Sequence, residues 1–276
     1  MLKTKLFALA CLLLAATILA AQINEIDQAK QEQIIMHIKK LGGQVDIDEE
    51  RLSKPIVAIN VAHTKATNAD LLHLKNLKTL RQLRLGSFIT NTGLAHVTRL
   101  NRLEHLSLSS SKITDNGLVH LKRLSNLEHL DLQGSGVTGP GLTSLQRLPR
   151  LQSLFWSGGK ISNRSLAHLK ILPNLQELML AYTKVSDDGL AQLRSLKKLK
   201  CLHIRSGYIT DRGLQHIQAL ADLKLLQIPS TPHITDAGIR DLQKARPDLT
   251  IQTFREIHSR SLLRRDRSPC FDSCRG

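Results

Sequence analysis

One phrase recurs along the whole chain. LSLSSSKITDNGLVHL at residues 106–121 returns as LDLQGSGVTGPGLTSL, LMLAYTKVSDDGLAQL and LHIRSGYITDRGLQHI. Aligned on their first apolar residue, the units begin at Ile56, Leu80, Leu103, Leu127, Leu151, Leu175, Leu199 and Leu223. The period is 24 residues, with one unit of 23 and a longer last one. Repetition at one length restricts the chain to an array in which each unit packs chiefly on its neighbours.

Within a unit the apolar offsets are 0, 3, 5, 10, 15, 18 and 21, which in the third unit are Leu103, Leu106, Leu108, Ile113, Leu118, Leu121 and Leu124. Offsets 3 and 5 alternate as on one face of a short strand, whereas 15, 18 and 21 follow a helical stripe. Each unit therefore reads as strand, turn and short helix. No unit can bury its apolar side alone, so stacking them in parallel, with strands ~4.8 Å apart, makes one continuous core. Only 3% of the residues are aromatic, so that core has to be filled by aliphatic side chains.

The helix start is equally regular. Thr67, Thr90, Thr114, Thr138, Ser162, Ser186, Thr210 and Thr235 supply a hydroxyl suited to an N-cap. An Asn or Asp follows in every unit but one, where Gly139 stands, and such groups suit the positive end of a helix. This pattern resembles the leucine-rich repeat family, in its bacterial exported form with ITDxGL-containing units. The resemblance covers residues 56–248 and implies an α/β solenoid with a parallel sheet on its concave face and short helices on its convex face. It also implies interaction rather than catalysis. Trp156 in place of a leucine, Ser165 in place of a glycine and the short second unit depart from the pattern.

The ends differ from the repeats. MLKTK, followed by the apolar residues 6–21, suits a secretory leader. A cleaved signal peptide, an uncleaved anchor and a lipoprotein at Cys11 are the open readings, and all three export the chain. Residues 22–55 carry Ile26, Ile34, Ile38 and Leu41 on a helical stripe closed by Gly42 and Gly43, as expected of a segment shielding the first repeat. Leu249 and Ile251 suit a last strand, and residues 249–276 otherwise read as a terminal cap and basic tail. Removal of the leader would leave Cys201, Cys270 and Cys274, too few for a disulfide scaffold.

Three sets of polar residues compete for function. Histidines recur at His73, His96, His120, His168 and His216, but on the helical side, as in a solvated ladder. No metal or other cofactor is expected there or elsewhere. Thirteen Lys and Arg residues between Lys75 and Lys200 fall near helix C-termini, contributing to a formal net charge of +16. They complement the helix dipoles, and with the tail they are also the basis for a second reading, electrostatic binding of an anionic polymer or membrane surface. An uncleaved leader would bring the chain to a membrane as well. Nucleic acid is disfavoured by export and by the scarcity of aromatics for stacking.

The third set lies between the strand leucines, where residues change from unit to unit as a recognition surface requires. His129, Asp131, Phe155, Glu177, Met179, Tyr182, His203 and Arg205 form the candidate concave site. Apolar groups at its centre and charged groups at its rim are the makeup of a binding hot spot for a protein or glycan at the cell envelope. Nothing in it suggests a strained nucleophile turn with oxyanion donors, so no enzyme is expected.

Overall fold

The computed structural model describes residues 26–254. The leader, Cys11, Cys270, Cys274 and the tail beyond Phe254 lie outside the described residues. Ten strands form one sheet in sequential order: β1 (Gln44–Ile47), β2 (Ile56–Asn60), β3 (Gln82–Arg84), β4 (His105–Ser107), β5 (His129–Gln133), β6 (Ser153–Ser157), β7 (Glu177–Ala181), β8 (Cys201–Arg205), β9 (Leu225–Pro229) and β10 (Thr250–Phe254). All pairs from β2 to β10 are parallel, and β1 runs antiparallel to β2. The alternating and helical spacings of each unit thus become a leucine-rich repeat solenoid, strands on one side and short helices on the other.

The apolar offsets all turn inward. In the third unit Leu103, Leu106, Leu108, Ile113, Leu118, Leu121 and Leu124 are buried, and their counterparts join them in one cluster running the length of the stack. Each fully buried aliphatic side chain contributes roughly 1.5–3 kcal/mol. Trp156 occupies a leucine position on β6 without leaving the core. It is completely buried and its indole N–H donates to the Val137 carbonyl at 3.1 Å. That bond answers the one polar group that the substitution introduces.

At the start of the stack, residues 26–40 are helical. Ile38 is buried and Ile34, Ile35 and Leu41 pack against the core, whereas Ile26, first of the expected stripe, is exposed. His37 on this helix reaches Asp70 of the first repeat at 2.8 Å. β10 at the other end carries the parallel pairing one strand past the eighth repeat, with Leu249 buried just before it.

The helix starts depart from expectation in an informative way. The recurrent hydroxyl does sit at the extended N-cap position, but apart from Ser162, which forms a capping box with Ser165, Thr210 and Thr235 alone among the described caps accept a bond from their own helix. The Asn or Asp after it turns instead to the next unit. Asn68 Oδ1 accepts from the Thr90 backbone N–H at 3.0 Å while its Nδ2 donates to Thr90 Oγ1 at 2.8 Å. Asn91 grips Thr114 and Asn163 grips Ser186 in the same two-pronged way. Asp187 accepts both bonds from Thr210, and Asp211 accepts both from Thr235. Asp115 takes four, from Thr138 N and Oγ1, Gly139 N and Gly141 N, at 2.7–3.1 Å. Burial alone would raise the Asp115 carboxyl, but these bonds outweigh it and hold the group below the ordinary carboxylate range.

This ladder explains the glycine of the phrase. A Cβ added at Gly93, Gly117, Gly189, Gly213 or Gly238 would collide with the side-chain Oδ1 of Asn68, Asn91, Asn163, Asp187 or Asp211 in the preceding unit. Where the Asx is missing, so is the glycine. Gly139 leaves nothing to reach the next unit, and Ser165 stands there in the glycine's place. Its Oγ accepts from the Ser162 N–H at 3.1 Å. In the first unit, which follows no repeat, Asp70 replaces the glycine and accepts from Thr67 N and Oγ1 at 2.7 and 2.9 Å. The two departures seen in the sequence, Gly139 and Ser165, are one compensated exchange.

The same exchange built elsewhere tests the ladder. Gly117→Ser alone should destabilise by about 2 kcal/mol, through collision with Asn91. In an Asn91→Gly background the cost of the serine should fall by at least ~1 kcal/mol, since it then caps its own helix. Urea melts followed by Trp156 emission measure both, and strictly additive effects would refute the steric link.

Candidate functional site

The in-register sheet arranges the variable residues in rows. The central row reads Arg84, Ser107, Asp131, Phe155, Met179, His203, Gln227 and Gln252, each paired with the next across neighbouring strands. A second row reads Gln82, His105, His129, Ser153, Glu177, Cys201, Leu225 and Thr250. Adjacent members of a row are ~4.8 Å apart, so residues far apart in sequence form one surface.

At the N-terminal end the rows are polar and already partnered. The His105 and His129 rings stack at 4.3 Å with only 2° between their planes. Burial pushes His105 below the ordinary histidine range against the pull of Glu104 and Glu128. Asp131 accepts from Ser107 Oγ and from the Gln133 N–H, each at 2.9 Å. Burial nevertheless prevails and raises its carboxyl above the ordinary value.

At the centre the surface turns apolar. Phe155 and Met179 are half-buried neighbours on β6 and β7, and Gln133 Nε2 reaches across to Met179 Sδ at 3.1 Å. Glu177 in the adjoining row is buried and accepts from Ser153 Oγ at 2.8 Å. It presents little surface of its own. Cys201, next in the row, is buried and not joined in a disulfide.

The C-terminal end is built around His203. Its ring is only 7% exposed, lies 5.3 Å from the Phe254 ring, and accepts a 3.3 Å hydrogen bond from Arg205 Nε at Nε2. A neutral ring accepting at Nε2 carries its proton on Nδ1, and that buried nitrogen finds no hydrogen-bond partner. Burial, reinforced by the Arg205 charge, pushes the pKa down to about 4. Arg205 in turn lies 4.9 Å over the Phe254 ring, a cation–π arrangement that orients the guanidinium. Phe254 is the residue that sequence reasoning missed, because it falls where the chain was read as tail. Its place at the end of a strand paired in register with β9 was the signal available.

Tyr182 differs from the other candidates. It lies one residue beyond β7, 60% exposed, in the left-handed conformation with φ of 53°. The corresponding residues of three other units also have positive φ, and they are Ser110, Gly134 and Gly158. A tyrosine held there costs about 1 kcal/mol that glycine avoids.

The histidine column is separate from this surface. His96, His120, His168 and His216 are half-buried on the helical side and His73 is exposed, its ring 4.7 Å from that of His37. Among the described residues no group of three or more His, Cys, Asp or Glu is placed to hold a metal ion. None of their helices is long and apolar enough to cross a membrane.

The buried His203 makes a pH prediction. Its pKa in the folded state lies below the ordinary 6.5, so the unfolded chain binds the proton first and stability is lost as pH falls from about 6.5 toward 4. At 1.36 kcal/mol per unit, the loss approaches about 3 kcal/mol. His203→Gln should flatten the denaturation midpoint across that window relative to wild type. Parallel pH profiles for the two proteins would contradict a buried neutral imidazole.

Comparison with known proteins agrees on architecture. A leucine rich repeat family model matches residues 96–122 and 123–145, two successive stretches of the array. Among solved structures, internalin C2 from Listeria monocytogenes is similar with a TM-score of 0.54 and 24% identity, over 72% of this chain and 81% of that one. The HAESA receptor kinase ectodomain of Arabidopsis, solved with a peptide hormone ligand, is similar with a TM-score of 0.53 and 19% identity. That match takes in 84% of this chain but spans 41% of the receptor chain. No curated protein matches the chain. The repeat matches, the parallel sheet and the shared architecture identify the fold as a leucine-rich repeat solenoid.

Proposed function

We propose that the chain is an exported recognition module that binds a protein partner through its concave face, without catalysis. The observation that carries this reading is the Phe155 and Met179 pair, an apolar step in the middle of a row that is otherwise polar from Arg84 to Gln252. A surface that only had to stay wet would continue the row with Ser or Gln. Asp131 on one side and Arg205 on the other supply the charged rim that fixes the orientation of a partner.

Tyr182 supports the same reading from the rim. An exposed aromatic kept in a conformation that glycine adopts more readily contributes contact area at the expense of stability. His203, Arg205 and Phe254 add a preorganised polar end, where the guanidinium is oriented before a partner arrives. The receptor ectodomain of the same fold is known with a peptide hormone ligand, which is consistent with a protein or peptide as partner class. The leader over residues 6–21 supports an extracytoplasmic location.

The test is capture of partners by the chain from residue 22 onward, repeated with Phe155→Ala combined with Tyr182→Gly. Binding should fall at least tenfold and depend only modestly on salt. Thermal stability supplies the second readout, since Tyr182→Gly by itself should leave the melting temperature unchanged or raise it. Full retention of the captured partner by the double variant would overturn the concave-face reading.

A further inference from the structure

The loops that lead from each helix back to the next strand lie together on one flank of the solenoid, because the units are stacked in register. From Lys75 to Lys200 these loops and the last helical turns before them carry the thirteen Lys and Arg residues already noted, and Arg81 besides, against two acids, Glu104 and Glu128. Arg99, Arg102, Arg123, Arg147, Arg150 and Arg194 are all exposed. Between Lys75 and Lys200 the flank has one ion pair among the described residues, Arg81 with Glu104 at 3.9 Å, and only beyond it do Lys224 and Arg246 pair with Asp248. Arg123 and Arg147 occupy the same offset in successive units, so like charges are stacked one repeat apart with no acid between them. Such a row repels itself and is relieved by bound counter-ions.

Helix dipoles explain a cation in the last turn, but not one placed beyond it. Arg102 and Arg150, with Lys78, Lys197 and Lys198, lie past the last helical turn, where the dipole effect has faded. The opposite flank holds the Asx ladder and the acidic helix starts among lysines and arginines of its own, so its charges are mixed where those of this flank are nearly all positive.

We infer that this flank is a docking track for a linear, multiply charged anionic polymer, bound through its phosphate or carboxylate groups and independently of the concave face. Six arginines provide planar forks that match such groups two bonds at a time. A lipid surface fits less well. Among the described residues the exposed large hydrophobics are Ile26, Met36, Leu52, Leu72, Phe88, Val119, Tyr182 and Tyr208, and none lies in these loops to enter a bilayer. Nor do the loops contain an aromatic on which a nucleobase would stack.

The test compares two triple variants of the full chain that lose the same charge. One is Arg123→Gln, Arg147→Gln and Arg150→Gln on the track. The other is Lys112→Gln, Lys160→Gln and Lys184→Gln, three exposed lysines on the strand-to-helix side. With inorganic polyphosphate as probe across a salt series, the arginine variant should bind at least tenfold more weakly and with a shallower salt dependence. The lysine variant should change less than twofold. Equal weakening in both would reduce the effect to net charge and overturn the track. Wild-type binding to phosphatidylglycerol vesicles but not to polyphosphate would overturn it in favour of a membrane. Trp156 emission checks that both variants are folded.

Discussion

The two-pronged bond from an Asn or Asp in one unit to the backbone and hydroxyl of the next is the contact on which the stack depends. Strand pairing holds one side of each unit to its neighbour and the buried leucines fill the middle. The Asx side chain adds a directed tie between successive helix starts. It satisfies an exposed helix N-terminus and ties that helix to the unit before it. Because the bond crosses from unit to unit, it requires a glycine at the point of passage. Thr, Asx and Gly are therefore one device spread over two repeats, worth about 1–3 kcal/mol per rung where the acceptor is charged.

A stack fixed on both sides keeps its strands in register, and register is what creates the concave surface. Phe155 and Met179 become neighbours only because β6 and β7 pair residue for residue. His203 is buried only because Arg205 flanks it and Phe254 closes over it from a strand two places away. The invariant residues thus determine where the variable ones stand, and the variable ones differ in chemistry along the row: polar and self-satisfied near Asp131, apolar in the middle, basic and aromatic toward Phe254.

Much of this was visible in the sequence, and the exceptions share a cause. The period, the strand and helix within each unit, the inward leucines and the last strand at Ile251 follow from spacing within one unit. What lay hidden were relations between units. The Asx residues read naturally as caps of their own helices, since nothing within a single unit points across a gap of 22–24 residues. Gly139 and Ser165 looked like two separate irregularities for the same reason. Glu177 and His203 belong to the strand face as the alternation indicated, yet their burial depends on Ser153 and Phe254 in other units. Tyr182 was read onto the concave face with its neighbours, and the left-handed conformation it takes one residue past β7 could not be seen in the spacing.

If function resides in the residues that change rather than in those that repeat, contact with a partner must fall on the concave side. Hydroxyl-radical footprinting of the free and partner-bound protein measures this directly, because Phe155, Met179 and Tyr182 oxidise readily and Met36, His96, His120 and Tyr208 serve as internal references. The account predicts protection of Phe155, Met179 and Tyr182 with His96 and His120 unchanged. Protection of the helical-side histidines with Phe155 and Met179 unaffected would contradict it.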